Sequence, residues 1–409
     1  MKLLVISHFY PPLNRMASSR PLGWAQLGQK LGHSVTVLTS AKHEFHGPLS
    51  LLPDTSGATL IEVEYPLVGL MKRLPSELLR KVAFRVLKFL WLLRALALVL
   101  FDPRLKGVDV VISTYSPVST ILLGYAYRKL RRKCVWVVDY RDLWTDNSYR
   151  AGRGRLAEWY GRKVQRVLLR AASLITTVSE SLRDQLRKLV PDKPVTVIYN
   201  GFDALDDAEA RVTTADHEAK EDACKIVYTG TIYTGKRSPE PLFKAVNELL
   251  LEGKITRTQL QLEFLGDRLG NVPQLLKSYD LESCAHCPGQ LSRELSYQSQ
   301  RNASLLLMLG SNDPGILTGK IFEYLAAEKP ILALGDEADS AVGKLLSSTG
   351  CGVAVGTDVE EIKSLVSALV REKRFDPYAP IQTEVDRYSR DSQGKALFEQ
   401  IAELQDAPC

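Results

Sequence analysis

Hydrophobic positions along this chain come in two alternating textures. Short runs dense in β-branched and aliphatic residues, "KLLVIS" (2–7), "SVTVLTS" (34–40), "DVVIST" (109–114), "CVWVVDY" (134–140), "SLITTVS" (173–179) and "VTVIYN" (195–200), are separated by helix-length segments. Strands alternating with helices predict parallel βαβ units and a doubly wound sheet. The first helix is expected over Arg20–Leu31, with Ser19 as its cap, Pro21 in the first turn and Gly32 as its stop. From Gly201 to Ala223 the pattern lapses into a polar, acidic stretch, read as an interdomain linker. Afterwards the alternation restarts with "KIVYTG", "LQLEFLGD", "ASLLLML", "PILAL" and "GVAVG". The expected fold class is therefore α/β, with two Rossmann-like doubly wound domains over 1–200 and 224–385. A last helical segment, 386–409, is expected to pack back on the first domain.

One helix breaks the rhythm by its charge. Leu78 to Phe101 carries five basic residues and no acidic one, and its longest uncharged run is seven residues. That is far short of the roughly 20 apolar residues of a membrane span. At helical pitch Lys81, Arg85 and Lys88 form one stripe, and Val82, Val86, Phe89, Leu90, Leu93, Ala97 and Leu100 form another. This is the make-up of an interfacial helix. The alternative is a core helix with a wet basic face. "RKLRRK" (128–133) adds positive charge nearby.

Composition supports the two-domain reading: 409 residues exceed one ordinary core, and 45% are hydrophobic and 24% charged. The net charge of +6 conceals a split of +17 over residues 1–199 and −11 over the remainder. Such asymmetry points to an anionic partner for the first half, either nucleic acid or a membrane surface. The basic residues lack interleaved aromatics on a strand platform, which argues against nucleic acid. "MKLLVIS" leads straight into a strand, so no secretory leader is expected. Six scattered cysteines suit a reducing cytosol, and the lone "CAHC" (284–287) has no second pair at finger spacing, so no metal is expected.

Candidate chemistry sits where parallel strands hand over to helices, because free backbone amides point outward there. Two facing domains would place such loops on both sides of one cleft. In "GILTGKIFEYLA" (315–326) Lys320 stands in the first turn of a helix, the wrong end for a cation unless an anion sits there, with Glu323 on the same face. An anion would take the backbone amides, the Thr318 hydroxyl and the Lys320 ammonium, and Glu323 would grip a sugar diol. The alternative is a plain i,i+3 ion pair. "YTGTIYTGKRSPEPLF" (228–243) repeats the design, with Lys236 and Arg237 ahead of a helix capped by Ser238. Two such loops favour a diphosphate. In "DYRDLWTDN" (139–147), Arg141, Asp142 and Trp144 are placed to grip a polar substrate, or form a loop ion pair beside a packed Trp.

With "FYPP" followed by Arg20, "LGHSVTVLT", "YRDLW", "TTVSESL", "VIYNGFD", "YTGTIYTGK", "FLGD" and "GKIFEYLAAEKPILAL" in this order, the chain resembles a family 4 glycosyltransferase of the two-domain GT-B fold. The resemblance implies a retaining, metal-independent transferase whose donor is a nucleoside-diphosphate sugar of the UDP or GDP type, with no other cofactor. It implies that Gly230 and Lys236 meet the diphosphate, that Gly266 and Asp267 lie near the nucleotide, that Ile316, Leu317 and Thr318 supply amides, and that Glu323 holds the ribose; Arg237 and Lys320 join the donor site by their own place at the helix entrances. Lys236, Asp142 and Arg20 are the expected catalytic groups. Three features depart from the family pattern: Gly315 stands where the first of two glutamates is usual, the glycine pair after "YPP" is absent, and Tyr115-Ser116-Pro117 replaces a usual histidine. A Lys-x-x-Glu version of the motif occurs in branches acting in bacterial surface-polysaccharide assembly. The expected acceptor is therefore a polyprenyl-phosphate-linked glycan, and the expected place is the cytoplasmic face of the cell membrane, held peripherally by the Leu78–Phe101 helix. The rivals are a soluble transferase with a small acceptor and a non-catalytic nucleotide-sugar-binding scaffold. An NAD-dependent oxidoreductase is disfavoured because "HFYPPLNRMASS" (8–19) offers no glycine for pyrophosphate approach.

Overall fold

The computed structural model describes residues 1–43, 47–51, 57–66, 68–69, 75–144, 155–203, 223–232, 234–235, 237–310, 315 and 317–406. The chain divides into two compact units, residues 1–200 with 390–409, and residues 201–389. Most of the expected linker, 204–222, lies outside the described residues.

Unit 1 is built on seven parallel strands, β1 (Lys2–Ile6), β2 (Ser34–Ser40), β3 (Thr59–Val63), β4 (Val110–Tyr115), β5 (Val135–Tyr140), β6 (Leu174–Thr177) and β7 (Val195–Val197). They lie in the order β3-β2-β1-β4-β5-β6-β7. β4 and β5 are buried at every position, as strands covered by helices on both faces must be. β3 is not among the expected strands; its "TLIEV" is short and buries only Ile61 and Val63, so its signal is weak.

Among the described residues the helices between these strands are α1 (Met16–Lys30), α2 (Glu77–Phe101), α3 (Val118–Leu130), α4 (Arg155–Arg170) and α5 (Glu180–Leu189). α1 starts four residues earlier than its capping signal predicts, so Pro21 lies inside the helix and the Ala17 carbonyl loses its i+4 donor. Residues of α2 to α5 pack on one face of the sheet in a core with Leu4, Ile6, Val111 and Trp136, whereas α1 packs on the other with Leu3, Val5, Val110 and Val135.

α2 is one unbroken helix of 25 residues, capped by the Ser76 hydroxyl on the Leu79 amide. Its core-facing stripe is Leu87, Trp91, Ala95 and Val99, with the Trp91 indole N–H donating to the Val63 carbonyl at 3.1 Å. The stripe expected to be the apolar face is a different one. Val82, Val86, Phe89, Leu93 and Ala97 point to solvent, with Phe89 59% exposed. The helix is thus apolar on two opposite sides, with exposed Arg85 and Lys88 along one border and Arg94 along the other.

Unit 2 has six parallel strands, β8 (Cys224–Thr229), β9 (Leu260–Leu265), β10 (Ala285–Gly289), β11 (Leu305–Leu309), β12 (Ile331–Leu334) and β13 (Gly352–Ala354). Their order is β10-β9-β8-β11-β12-β13. The accompanying helices are α6 (Glu240–Leu251), α7 (Val272–Ser278), α8 (Arg293–Arg301), α9 (Gly319–Ala326), α10 (Ala341–Thr349), α11 (Val359–Glu372) and α12 (Gln382–Asp386). The last helix, α13 (Arg390–Asp406), belongs to unit 1, where Leu397, Phe398 and Ile401 pack in the core beside α1. Among the described residues no helix is long and apolar enough to cross a membrane.

Candidate functional site

In each unit the chain builds outward from its first strand and then returns to the other side, so the strand order reverses between β1 and β4, and between β8 and β11. The carboxyl ends of strands at such a reversal form the natural binding crevice of a doubly wound sheet. The described ones among the expected donor residues of unit 2 lie at the β8/β11 reversal.

Gly230 ends β8 with φ +131°, a region favouring glycine, and its amide donates to the Leu265 carbonyl at 2.7 Å. A Cβ built on Gly230 would stand 3.5 Å from the Lys320 Cε. Gly266, just past β9, lies so close that its Cβ would fall 2.1 Å from the Gly230 carbonyl oxygen. The close approach needs a glycine at 266, and the positive φ favours one at 230. Asp267 is exposed and accepts from the Thr231 hydroxyl at 2.9 Å.

α9 brings the other side. Tyr324 is fully buried; its hydroxyl accepts from the Thr229 amide at 3.0 Å and donates to the Leu307 carbonyl at 3.2 Å, tying α9 to the end of β8 and the middle of β11. Thr318 caps α9 without using its side chain, and its buried hydroxyl has no partner among the described residues. The Lys320 ammonium meets the Glu323 carboxylate at 2.9 Å, both about one-quarter exposed. Leu317 is buried beside them, whereas Lys236 and Ile316 lie outside the described residues. α9 ends with Glu328 in the left-handed conformation.

Burial and neighbouring charges act on several of these groups. Burial and the neighbouring Tyr324 push the Tyr228 phenol up to about 12, against the lowering effect of Arg237 and Lys320. Arg237 also faces Asp336, which is 4% exposed and whose carboxyl burial raises to about 6, with Arg237 opposing and Glu337 adding. Arg293 and Tyr297 of α8 hydrogen-bond at 3.0 Å, and the charge of Glu323 acts on both. Sequence reasoning missed Tyr324, Asp336, Arg293 and Tyr297. Tyr324 shared the motif "GKIFEYLA" but reads there as one more core position; the other three carry no local signal.

Unit 1 places its expected groups differently. Arg20 has a structural post: its guanidinium is 2% exposed, lies over the Trp24 ring, and reaches the buried Asp139 with Nη2–Oδ1 at 2.8 Å and the Tyr199 carbonyl at 2.7 Å. The Thr176 hydroxyl completes the carboxylate's partners at 2.8 Å. These contacts give Arg20 a structural role inside the fold beside the catalytic one expected of it. Asp142 is exposed on the turn after β5, Arg141 donates to the Tyr115 carbonyl at 3.2 Å, and Trp144 packs partly against the core.

At the carboxyl ends of β1 to β3 a polar cluster escaped sequence reasoning. The His8 ring lies 2.9 Å from the Tyr65 hydroxyl, and the His8 carbonyl accepts from Ser40 at 2.9 Å. The Lys42 ammonium donates to Thr39 at 2.8 Å and to the Ser40 carbonyl; burial brings it down to about 7, against the raising effect of Glu62. The "CAHC" cysteines part company, Cys284 buried and donating to the Leu281 carbonyl, Cys287 exposed. No cluster of metal-ligating side chains occurs among the described residues.

Two parallel-sheet α/β units, each with one strand reversal, define a GT-B-type fold. Residues 18–201 match the family described as "Glycosyl transferase 4-like domain", which spans most of unit 1. The whole chain is similar to the Anabaena HepE structure in complex with UDP and glucose, at 14% identity over 98% of this chain and 100% of that one, with a TM-score of 0.59. It is similar to a glycosyltransferase from Rickettsia africae at 15% identity over 100% and 99%, TM-score 0.65. It is likewise similar to the apo form of the lipopolysaccharide outer core galactosyltransferase WaaB, at 12% identity over 98% and 99%, TM-score 0.59. No curated protein matches the sequence.

Proposed function

We propose that the protein is a retaining, metal-independent glycosyltransferase. It moves a sugar from a nucleoside-diphosphate sugar, of the UDP or GDP type, to a polyprenyl-phosphate-linked glycan in cell-surface polysaccharide or glycan assembly. The observation that carries the reading is the meeting of Gly230, Gly266, Lys320 and Glu323 at the β8/β11 reversal. Glycine backbones admit a diphosphate closely, the α9 N-terminus and the Lys320 ammonium face its charge, and Glu323 accepts from ribose hydroxyls. In this reading Gly230, Lys236 and Arg237 hold the diphosphate, Gly266 and Asp267 stand at the nucleotide, and Ile316, Leu317 and Thr318 line the donor. Fixed cationic groups and amides stabilise the negative charge that grows on the leaving diphosphate, which is the main electrostatic work of such a transfer. Asp142 grips the acceptor from unit 1.

The acceptor reading is supported by the charge of +17 over residues 1–199 and by the exposed apolar stripe of α2, which together suit peripheral attachment to an anionic cytoplasmic leaflet. The test is nucleotide release from UDP- and GDP-sugars in the presence of extracted membrane lipids. Release that needs the lipid fraction supports the reading. Release with water-soluble sugars alone turns it to a soluble transferase, and donor binding without release turns it to a scaffold.

A further inference from the structure

The helical layer on the α2 side of unit 1 carries a second patch of the same character as the α2 stripe. On α4, Trp159 is 61% and Tyr160 64% exposed, and Val167 is exposed beside them. At helical pitch these share one face with Lys163, Arg166 and Arg170, all exposed, while Leu168 and Leu169 face the core. The Lys163 ammonium lies 5.1 Å from the centre of the Trp159 ring. Trp and Tyr beside basic side chains are the residues that settle at the headgroup level of a bilayer.

α2 and α4 are held in register by α3, which packs against both. Two helix spacings of 8–10 Å put their axes about 20 Å apart. Each helix in a parallel sheet starts at the carboxyl edge of one strand and runs back to the amino edge of the next. The exposed stripe of α2 starts at Val82 and Val86 and runs on through Phe89 and Leu93, and that of α4 starts at Trp159 and Tyr160, so each begins in the N-terminal half of its helix. Both therefore border the carboxyl edge of the first sheet.

Charge separates this side from the opposite one. α2, α3 with its following turn to Lys133, and α4 together hold fifteen basic and two acidic residues. α1 and α13, on the other face of the sheet, hold four of each. The excess thus lies on the side that carries the exposed apolar and aromatic groups, and not on the side that lacks them.

We infer that unit 1 docks on an anionic lipid bilayer through two helices at once, α2 by its Val82/Val86/Phe89/Leu93 stripe and α4 by Trp159 and Tyr160, with the basic side chains at the headgroups. The inference rests on the membrane part of the proposed function and deepens it. Two anchors about 20 Å apart fix the tilt of the unit, where one helix leaves it free to roll. The carboxyl edge of the first sheet then faces the headgroup layer, within reach of an acceptor whose phosphate stays in that layer.

The test uses the full chain and vesicles of phosphatidylcholine, alone or with about 30% phosphatidylglycerol. The wild type is expected to sediment with the anionic vesicles only. Trp159→Ala/Tyr160→Ala on α4 and Phe89→Ser/Leu93→Ser on α2 are each expected to weaken partition about tenfold, with circular dichroism unchanged. Brominated lipid should quench a part of the wild-type tryptophan emission that is missing in Trp159→Phe. Wild-type partition in the α4 variant, with loss in the α2 variant, overturns two-helix docking and leaves membrane attachment by α2 standing. Failure of the wild type to bind anionic vesicles overturns the membrane reading and the inference together.

Discussion

The Arg20 guanidinium and the Asp139 carboxylate form an ion pair inside unit 1, 2.8 Å from Nη2 to Oδ1, with side chains 3% and 0% exposed. It joins α1 to β5, and the third arm of the guanidinium reaches the Tyr199 carbonyl beyond β7. Breaking such a pair from one side leaves an uncompensated buried charge. Arg20→Met should therefore cost unit 1 about 3–5 kcal/mol of stability, read as a lowered denaturant midpoint. A variant as stable as the wild type but inactive would overturn the structural role and favour the catalytic one.

The Lys320–Glu323 pair is a different case, because both side chains are about one-quarter exposed. Its loss should cost well under about 1 kcal/mol of stability. Under the donor reading, Glu323→Ala and Lys236→Ala each lower kcat/KM about a hundredfold while the thermal midpoint holds. Near-normal rates in both would remove the donor assignment.

Gly266→Ala tests the close approach of two strand ends. The new methyl would lie 2.1 Å from the Gly230 carbonyl oxygen and 2.9 Å from its carbon, both backbone atoms that yield only by moving the β8 turn. The expected result is a loss of about 1–3 kcal/mol and weaker nucleotide-sugar binding by calorimetry. Gly69→Ala, with nothing among the described residues within 4 Å of its Cβ, is the control and should change neither.

Asp336 gives unit 2 a pH dependence with a definite sign. Its carboxyl rises from 3.8 to about 6 on folding because burial disfavours the charge. The folded state holds a proton that the unfolded chain has released, so this contribution is complete below about 3.8 and is lost as pH rises through about 6. The ceiling is about 3 kcal/mol. Asp336→Asn should flatten the fall in stability between pH 4 and 6 and leave the variant the more stable protein at pH 7. An unchanged slope in thermal melts across that range would place the titration elsewhere.

Alternating strand and helix patterns made the α/β class and both parallel sheets legible, because that information is local: a run such as "VWVV" or "LLLML" needs only its own side chains to read as a buried strand. The glycine at the end of β8 and the Lys-x-x-Glu of α9 were legible for the same reason, since loop and helix chemistry lie within a few residues. Tertiary structure alone decided three things. It chose which of two apolar stripes of α2 meets the core, because both have helical spacing and only the sheet beneath selects Leu87, Trp91, Ala95 and Val99. It gave Arg20 to Asp139, 119 residues away, where no local pattern can specify a partner. And it buried Asp336 beside Arg237, turning an ordinary loop carboxylate into a group that titrates near 6. Periodicity along the chain fixes what a segment is; desolvation and pairing, which depend on what the fold packs around it, fix what its side chains do.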